Sequence, residues 1–188
     1  MKKYTTIACC GIDCGLCPQY HSKAASACPG CGGETFKEKH PSCGFVTCCV
    51  EKKGLETCVA CSDFPCKRFD KEDSGLDSFV THRKIFSNLS EIKQFGLPMF
   101  LDKQRVRMSI LSRFLDEFDD GRSKSFFCLS CTLLPIEMLQ ECLTYASSLD
   151  TSLGVKPANK TLKSMIQTIA DDLHIELKLN HKPAVKKG

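Results

Sequence analysis

The sequence predicts an α+β protein: a small, irregular, cysteine-rich metal-binding region of zinc-ribbon or knuckle type, packed on a mainly α-helical C-terminal part with a short terminal strand. Three observations carry this expectation. Fifteen cysteines occur in 188 residues, and twelve of them fall between Cys9 and Cys66, mostly in close-spaced pairs. Beyond Lys67 the texture changes from glycine and cysteine to apolar residues at helical spacing. Near the end, Ile175-Glu176-Leu177-Lys178-Leu179 alternates apolar with polar, as a half-buried strand does. The expected division is residues 1–70 as the cysteine-rich region, 71–150 as a helical region, and 151–188 as an appended helix and strand with a frayed tail.

The cysteines read as metal ligands. Secreted disulfide scaffolds are usually under ~80 residues, lack apolar cores and follow a signal peptide. Here 42% of residues are apolar, and Tyr4-Thr5-Thr6-Ile7-Ala8 is too short and polar to serve as the apolar segment of an export signal. No run approaches the ~18 apolar residues of a membrane span. The expectation is a soluble, cytoplasmic protein with no membrane partner, where clustered thiols bind metal. The formal charge of +4 is a weak argument for nucleic acid, because each zinc held by four thiolates carries about −2 and two such sites would bring the total to about zero.

Taking the elements in order, Cys10, Cys14 and Cys17 come first, spaced Cys-x3-Cys-x2-Cys. That spacing also suits three ligands of an iron–sulfur cluster. Cys28-Pro29-Gly30-Cys31-Gly32 is the sharpest motif. Two thiolates three positions apart grip one tetrahedral ion only across a tight turn, and glycine after the second cysteine accommodates the positive φ of such a knuckle. Cys14, Cys17, Cys28 and Cys31 are therefore expected to form one four-cysteine site. Four of Cys43, Cys48 (or Cys49), Cys58, Cys61 and Cys66 form a second, with Pro65 fixing the approach of the last sulfur. His21 and His40 lie in the same region, but thiols are already in surplus, so both read as surface or supporting residues.

The series "CGIDCGLCP", "CPGC", a cysteine near 43, "CC" at 48 to 49, "CVACSDFPC" and the later "DGRSKSFFCLSCTLLP" resembles the small bacterial and archaeal proteins grouped as domain of unknown function 3795, over Cys10 to about Leu149. The resemblance implies a metal-binding cysteine domain followed by helices. Its cysteine pattern falls on Cys10, Cys14, Cys17, Cys28, Cys31, Cys43, Cys48, Cys58, Cys61 and Cys66, with Cys9 and Cys49 as extra neighbours that leave the register open. Ten thiols exceed the eight that two zinc sites use. Either two are not ligands, or one site is an iron–sulfur cluster.

The helices follow from periodicity. Ile85, Leu89 and Ile92 fall at i, i+4 and i+7, with Gly96 as terminator after Phe95. Pro98 opens a longer helix through Leu101, Met108, Leu111, Leu115 and Phe118, ending at a turn over Asp120-Gly121. Its other face carries Lys103, Arg105, Arg107 and Arg113, which reads as a solvated face before it reads as a nucleic-acid surface. Phe127, Cys131 and Leu134 share one face, so Cys128 and Cys131 are expected in an apolar core. Pro135 starts a helix through Leu139, Leu143 and Ala146. Thr151 to Lys156 reads as a linker, and Pro157 opens a last helix with Leu162, Met165, Ile166, Ile169, Ala170 and Leu173 as its stripe.

Catalytic motifs are scarce: the sequence shows no phosphate-binding glycine loop, no Gly-x-Ser-x-Gly elbow and no His-Glu-x-x-His. The carboxylates Asp116, Glu117, Asp119 and Asp120 read as a solvated helix end. The functional expectation is a structural-zinc binding module with two zinc ions and a protein partner. An iron–sulfur or thiol redox protein is the alternative.

Overall fold

The computed structural model describes residues 2–70, 75–149, 152 and 154–181, and among these the regular structure is helical. After a loop with a 3-10 turn at Cys14–Leu16 comes the single turn α1 (Phe36–Lys39). A wide π-helical segment, Val46–Lys52, and 3-10 turns at Cys58–Ala60 and Lys67–Phe69 complete the N-terminal region. Five longer helices follow: α2 (Ile85–Phe95), α3 (Leu97–Phe118), α4 (Lys124–Leu133), α5 (Ile136–Ala146) and α6 (Val155–Asp172).

The α+β class and the terminal strand are corrected. Among the described residues the sole β-type pairing is one isolated antiparallel bridge, Ile7 to Asp13. The alternation at 175–179 is real: Ile175 and Leu177 pack on the helical core, while Glu176 and Lys178 are exposed. A strand also needs a partner to take its backbone hydrogen bonds. Here the Glu176 and Lys178 carbonyls accept instead from the two terminal nitrogens of Arg83, at 2.7 and 2.9 Å. Asn180, expected to be frayed, is tied to Asp77, its carbonyl accepting from the Asp77 amide at 2.8 Å and its own amide donating to the Asp77 carboxylate at 3.0 Å. Residues 182–188 of the expected tail lie outside the described residues, as does Thr151 of the expected linker, and α6 starts inside that linker, two residues before Pro157.

The helical boundaries follow the local chemistry. Gly96 takes φ +86°, and its amide reaches the Ile92 carbonyl at 2.9 Å, ending α2 where the sequence places a glycine. The main core joins Leu111, Phe114 and Phe118 of α3 to Phe127, Cys128 and Cys131 of α4, Leu139 and Cys142 of α5, and Leu162, Ile166 and Ala170 of α6. Cys128 and Cys131 are 1% and 0% exposed, so these thiols pack as small apolar groups. The turn after α3 is built by its own carboxylates, Asp119 accepting from the Gly121 and Ser123 amides and Asp120 from the Arg122 amide.

The two ends of the chain interlock. Leu16, from the cysteine region, belongs to the helical core, while Ile85 and Leu89 of α2 enter the thiol-rich cluster of Cys9, Cys10, Cys31, Cys49 and Cys58. Loops lack internal backbone partners, so the helices supply them. Asn88 donates its amide to the Gly11 carbonyl at 2.9 Å, and Gln104 donates to the Thr6 carbonyl at 2.9 Å and the Asp13 carboxylate at 2.7 Å. Both side chains are buried.

Candidate metal centre

Cys9, Cys49 and Cys58 converge: their sulfurs all lie within 4.8 Å of one another, and all three residues are buried. Backbone pairing assembles them. The Cys58 amide donates to the Cys9 carbonyl at 2.8 Å, and the Leu55 amide to the Cys49 carbonyl at 2.9 Å. Four sulfurs at ~2.3 Å around a tetrahedral zinc stand about 3.8 Å apart, so this spacing suits a single ion. Cys31 is the next thiol of this cluster, close enough to Cys9 for each to shift the other, and it stands outside the trio whose sulfurs all lie within 4.8 Å of one another. It is held there by its amide on the Thr5 carbonyl at 2.8 Å, and Gly32 takes φ +70° directly after it, as the knuckle argument requires.

The electrostatics of this cluster are those of groups that cannot all ionise unaided. The nearby Cys58 and Cys9 thiols pull the Cys49 thiol well below its ordinary value. Its neighbours respond in the opposite sense, Cys58 being pushed up to about 12 by its bond to Cys49, and Cys9 upward by its bonds to Cys31, Cys49 and Cys58. A divalent cation is the group that would let all of them shed protons together. Lys2 contributes to the same end. Its side chain is fully buried, its ammonium donates to the Glu56 carbonyl, and its charge favours the thiolate forms of Cys31 and Cys49.

The remaining thiols fall into two further groups. Cys10, Cys14, Cys17, Cys28 and Cys43 line one cavity of about 250 Å³, together with His40 and with Cys9 and Cys31 of the first cluster. Cys48, Cys61 and Cys66 line a smaller one of about 30 Å³, whose walls also include Cys49 and Cys58. At its rim the Lys53 ammonium contacts the Cys61 sulfur at 2.8 Å and the Asp63 carboxylate at 2.6 Å. The expected first set, Cys14, Cys17, Cys28 and Cys31, thus shares a cavity, but among the described residues the one trio that converges is Cys9, Cys49 and Cys58. Of the expected second set, Cys48, Cys58, Cys61 and Cys66 share a wall, and Cys43 stands in the other cavity.

The convergent trio therefore includes both cysteines that the sequence left as extra neighbours. Adjacent cysteines look interchangeable in a spacing pattern, whereas the fold gives each its own direction. Cys49 turns inward at 3% exposure and Cys48 is half-buried. Lys2, Asn88 and Gln104 carry no motif, and nothing in the spacing could have singled them out. His40 stands beside the Cys28 sulfur at 3.7 Å, and His21 bonds the Gly15 carbonyl at 2.7 Å, so both are placed as supporting residues. The four cations of α3 are engaged: Lys103 with Glu91, Arg105 with Asp102, Arg113 with Glu117, and Arg107 with the Cys131 and Leu134 carbonyls.

The family model described as "Protein of unknown function (DUF3795)" matches residues 6–71, a stretch holding all twelve N-terminal cysteines. The match stops well short of the segment from Asp120 to Pro135, so the resemblance is narrower than the sequence motifs suggested. No curated protein matches the chain, and no solved structure does. No helix among the described residues is long and apolar enough to cross a membrane.

Proposed function

We propose that the N-terminal region is a metal-stapled binding module, in which Cys9, Cys31, Cys49 and Cys58 hold one zinc ion with a structural role. The observation that carries this reading is the convergence of Cys9, Cys49 and Cys58 within 4.8 Å inside an apolar cluster. Catalytic zinc keeps an open coordination position and usually nitrogen or oxygen ligands. The four residues assigned here are 0%, 2%, 3% and 8% exposed and offer sulfur alone, which favours a closed site. Such an ion would contribute its binding energy directly to folding, in a region whose own apolar core is small.

The partner of the module is expected to be a protein. The α3 cations are spent on internal pairs and carbonyls, which leaves little unpaired charge on that helix for a phosphate backbone. The test is zinc content together with X-ray absorption at the zinc edge on the purified protein. Four sulfurs at ~2.3 Å support the assignment. Full zinc retention in Cys9→Ser and Cys49→Ser variants would refute it.

A further inference from the structure

The geometry points to a second, polynuclear centre beside the zinc site: the cavity bounded by Cys10, Cys14, Cys17 and Cys28 binds an iron–sulfur cluster through those four thiolates. The cavity measures about 250 Å³, far more than one ion with its ligands drawn round it would leave. Seven cysteines line it, Cys9 and Cys31 of the zinc site among them, yet no three of the seven come within 4.8 Å of one another, since the one such trio among the described residues has only Cys9 on this wall. That combination separates the two kinds of centre. A single tetrahedral ion pulls its thiolates to about 3.8 Å from each other. A cluster gives each thiolate a different iron, so its ligands stand on a wider ring with inorganic sulfide filling the middle.

The Cys14 thiol lies in the field of Cys31, Cys10 and Cys17, and Cys17 in that of Cys28. The 3-10 turn Cys14–Leu16, closed by the Cys17 amide on the Cys14 carbonyl at 3.1 Å, sets two ligands on one rim. Donors that would stabilise thiolates are already in place. The backbone amides of Gln19 and Tyr20 oppose the burial that raises the Cys17 thiol, and the His40 ring nitrogen stands 3.7 Å from the Cys28 sulfur. Hydrogen bonds to ligand sulfur are among the features that tune such clusters. Ala8, Ile12, Phe36, Phe45 and Val80 supply an apolar wall, which lowers the local dielectric and keeps water from the sulfide. With four thiolates available no iron is left with an open position, so the centre is of the electron-carrying type.

The experiment is anaerobic reconstitution of the full chain with ferrous iron and sulfide, reading iron, acid-labile sulfide, zinc and visible absorption on the same sample. Wild-type protein should take up about four irons and four sulfides per chain, with a visible charge-transfer band and an EPR signal on reduction. Cys14→Ser, Cys17→Ser and Cys28→Ser should each lose more than half of that band, Cys43→Ser should keep it, and zinc should stay unchanged in all four. Because zinc is read separately, failure of this centre and failure of the zinc assignment give different results. Uptake of iron without sulfide, or of no iron, by wild-type protein overturns the proposal independently of any variant. Equal loss of the band in Cys43→Ser would overturn the ligand assignment.

Discussion

Gln104→Leu isolates the contact by which the helical part grips the cysteine loop. The substitution keeps the side chain near its original volume and removes its polar atoms, and residue 104 is 2% exposed, so water cannot replace what is lost. Three contacts go: donation to the Asp13 carboxylate at 2.7 Å, donation to the Thr6 carbonyl at 2.9 Å, and the Thr6 hydroxyl at 2.6 Å. The Thr6 carbonyl keeps a second donor, the Gly15 amide at 2.7 Å, so its loss is small. Asp13 is the expensive one. Burial pushes its carboxyl up to about 6, and Gln104 is the largest influence pulling the other way. A hydrogen bond to a charged group contributes about 1.5–3 kcal/mol and the Thr6 contacts about 1 more, giving a loss of about 3 kcal/mol. For a chain of this size that is a fall in Tm of about 6–12 °C.

The deficit should also depend on pH with a defined sign. A carboxyl whose folded value lies above its unfolded one destabilises the fold where it is ionised, and the penalty fades as pH falls through the folded value. Removing the donor raises Asp13 further, so the variant should be most deficient at pH 8. It should approach wild type below about 6, where Asp13 is protonated in both proteins. Thermal melts by circular dichroism across pH 5–8 read both effects, with zinc content as the control, since Gln104 touches no thiol. A Tm within 2 °C of wild type at pH 8, or a deficit that grows as pH falls, would show that the amide does not hold this loop.

Gly11→Ala should destabilise by more than ~2 kcal/mol, because Gly11 sits at φ +96° and a Cβ there would meet the Ile85 carbonyl oxygen at 2.7 Å; a chemical denaturation midpoint equal to wild type would contradict the close approach of α2. The double variant Cys128→Ala, Cys131→Ala should keep its full metal complement, with a stability loss of about 1–3 kcal/mol from lost packing volume, and a missing metal equivalent would place these buried thiols in a site. Arg107→Met should weaken the protein by about 2–4 kcal/mol, since it strands the Cys131 and Leu134 carbonyls, each now 2.7 Å from the guanidinium. Chelation at neutral pH should unfold the cysteine region before the helices. Coincident loss of near-UV signal from both parts would contradict a locally stapled region.

The helices were legible because periodicity reports which face is buried, and burial decides helix boundaries when caps agree. Gly96 and the stripe Leu111, Leu115, Phe118 show this. The strand at 175–179 was misread for a definable reason: alternation reports two-sided exposure, and an extended segment clamped by Arg83 has that exposure without a sheet. The clustering of the thiols was legible, but which of them converge was not. Spacing along the chain constrains which sulfurs are near neighbours in a knuckle, whereas Cys9 and Cys58 meet through a long-range backbone bond and Cys49 joins them from the π-helical segment. Cys31 lies beside Cys9 and also on the cavity wall it shares with Cys14, Cys17 and Cys28. Lys2 carries no motif, and its side chain is fully buried beside the cluster.

The Arg83 clamp also has a consequence for the order of events during synthesis. Its acceptors, Glu176 and Lys178, lie 93 and 95 residues downstream, while Phe79 and Val80, in the segment it anchors, form part of the wall of the thiol-lined cavity. At ~5–20 residues per second the ribosome needs about 5–20 s to travel that distance. Every cysteine of the N-terminal region has emerged before that interval begins. During it the thiols that line the cavity are present without the tether that fixes one side, so a nascent chain passes through an open interval whose length is set by how far along the chain its fastening was placed.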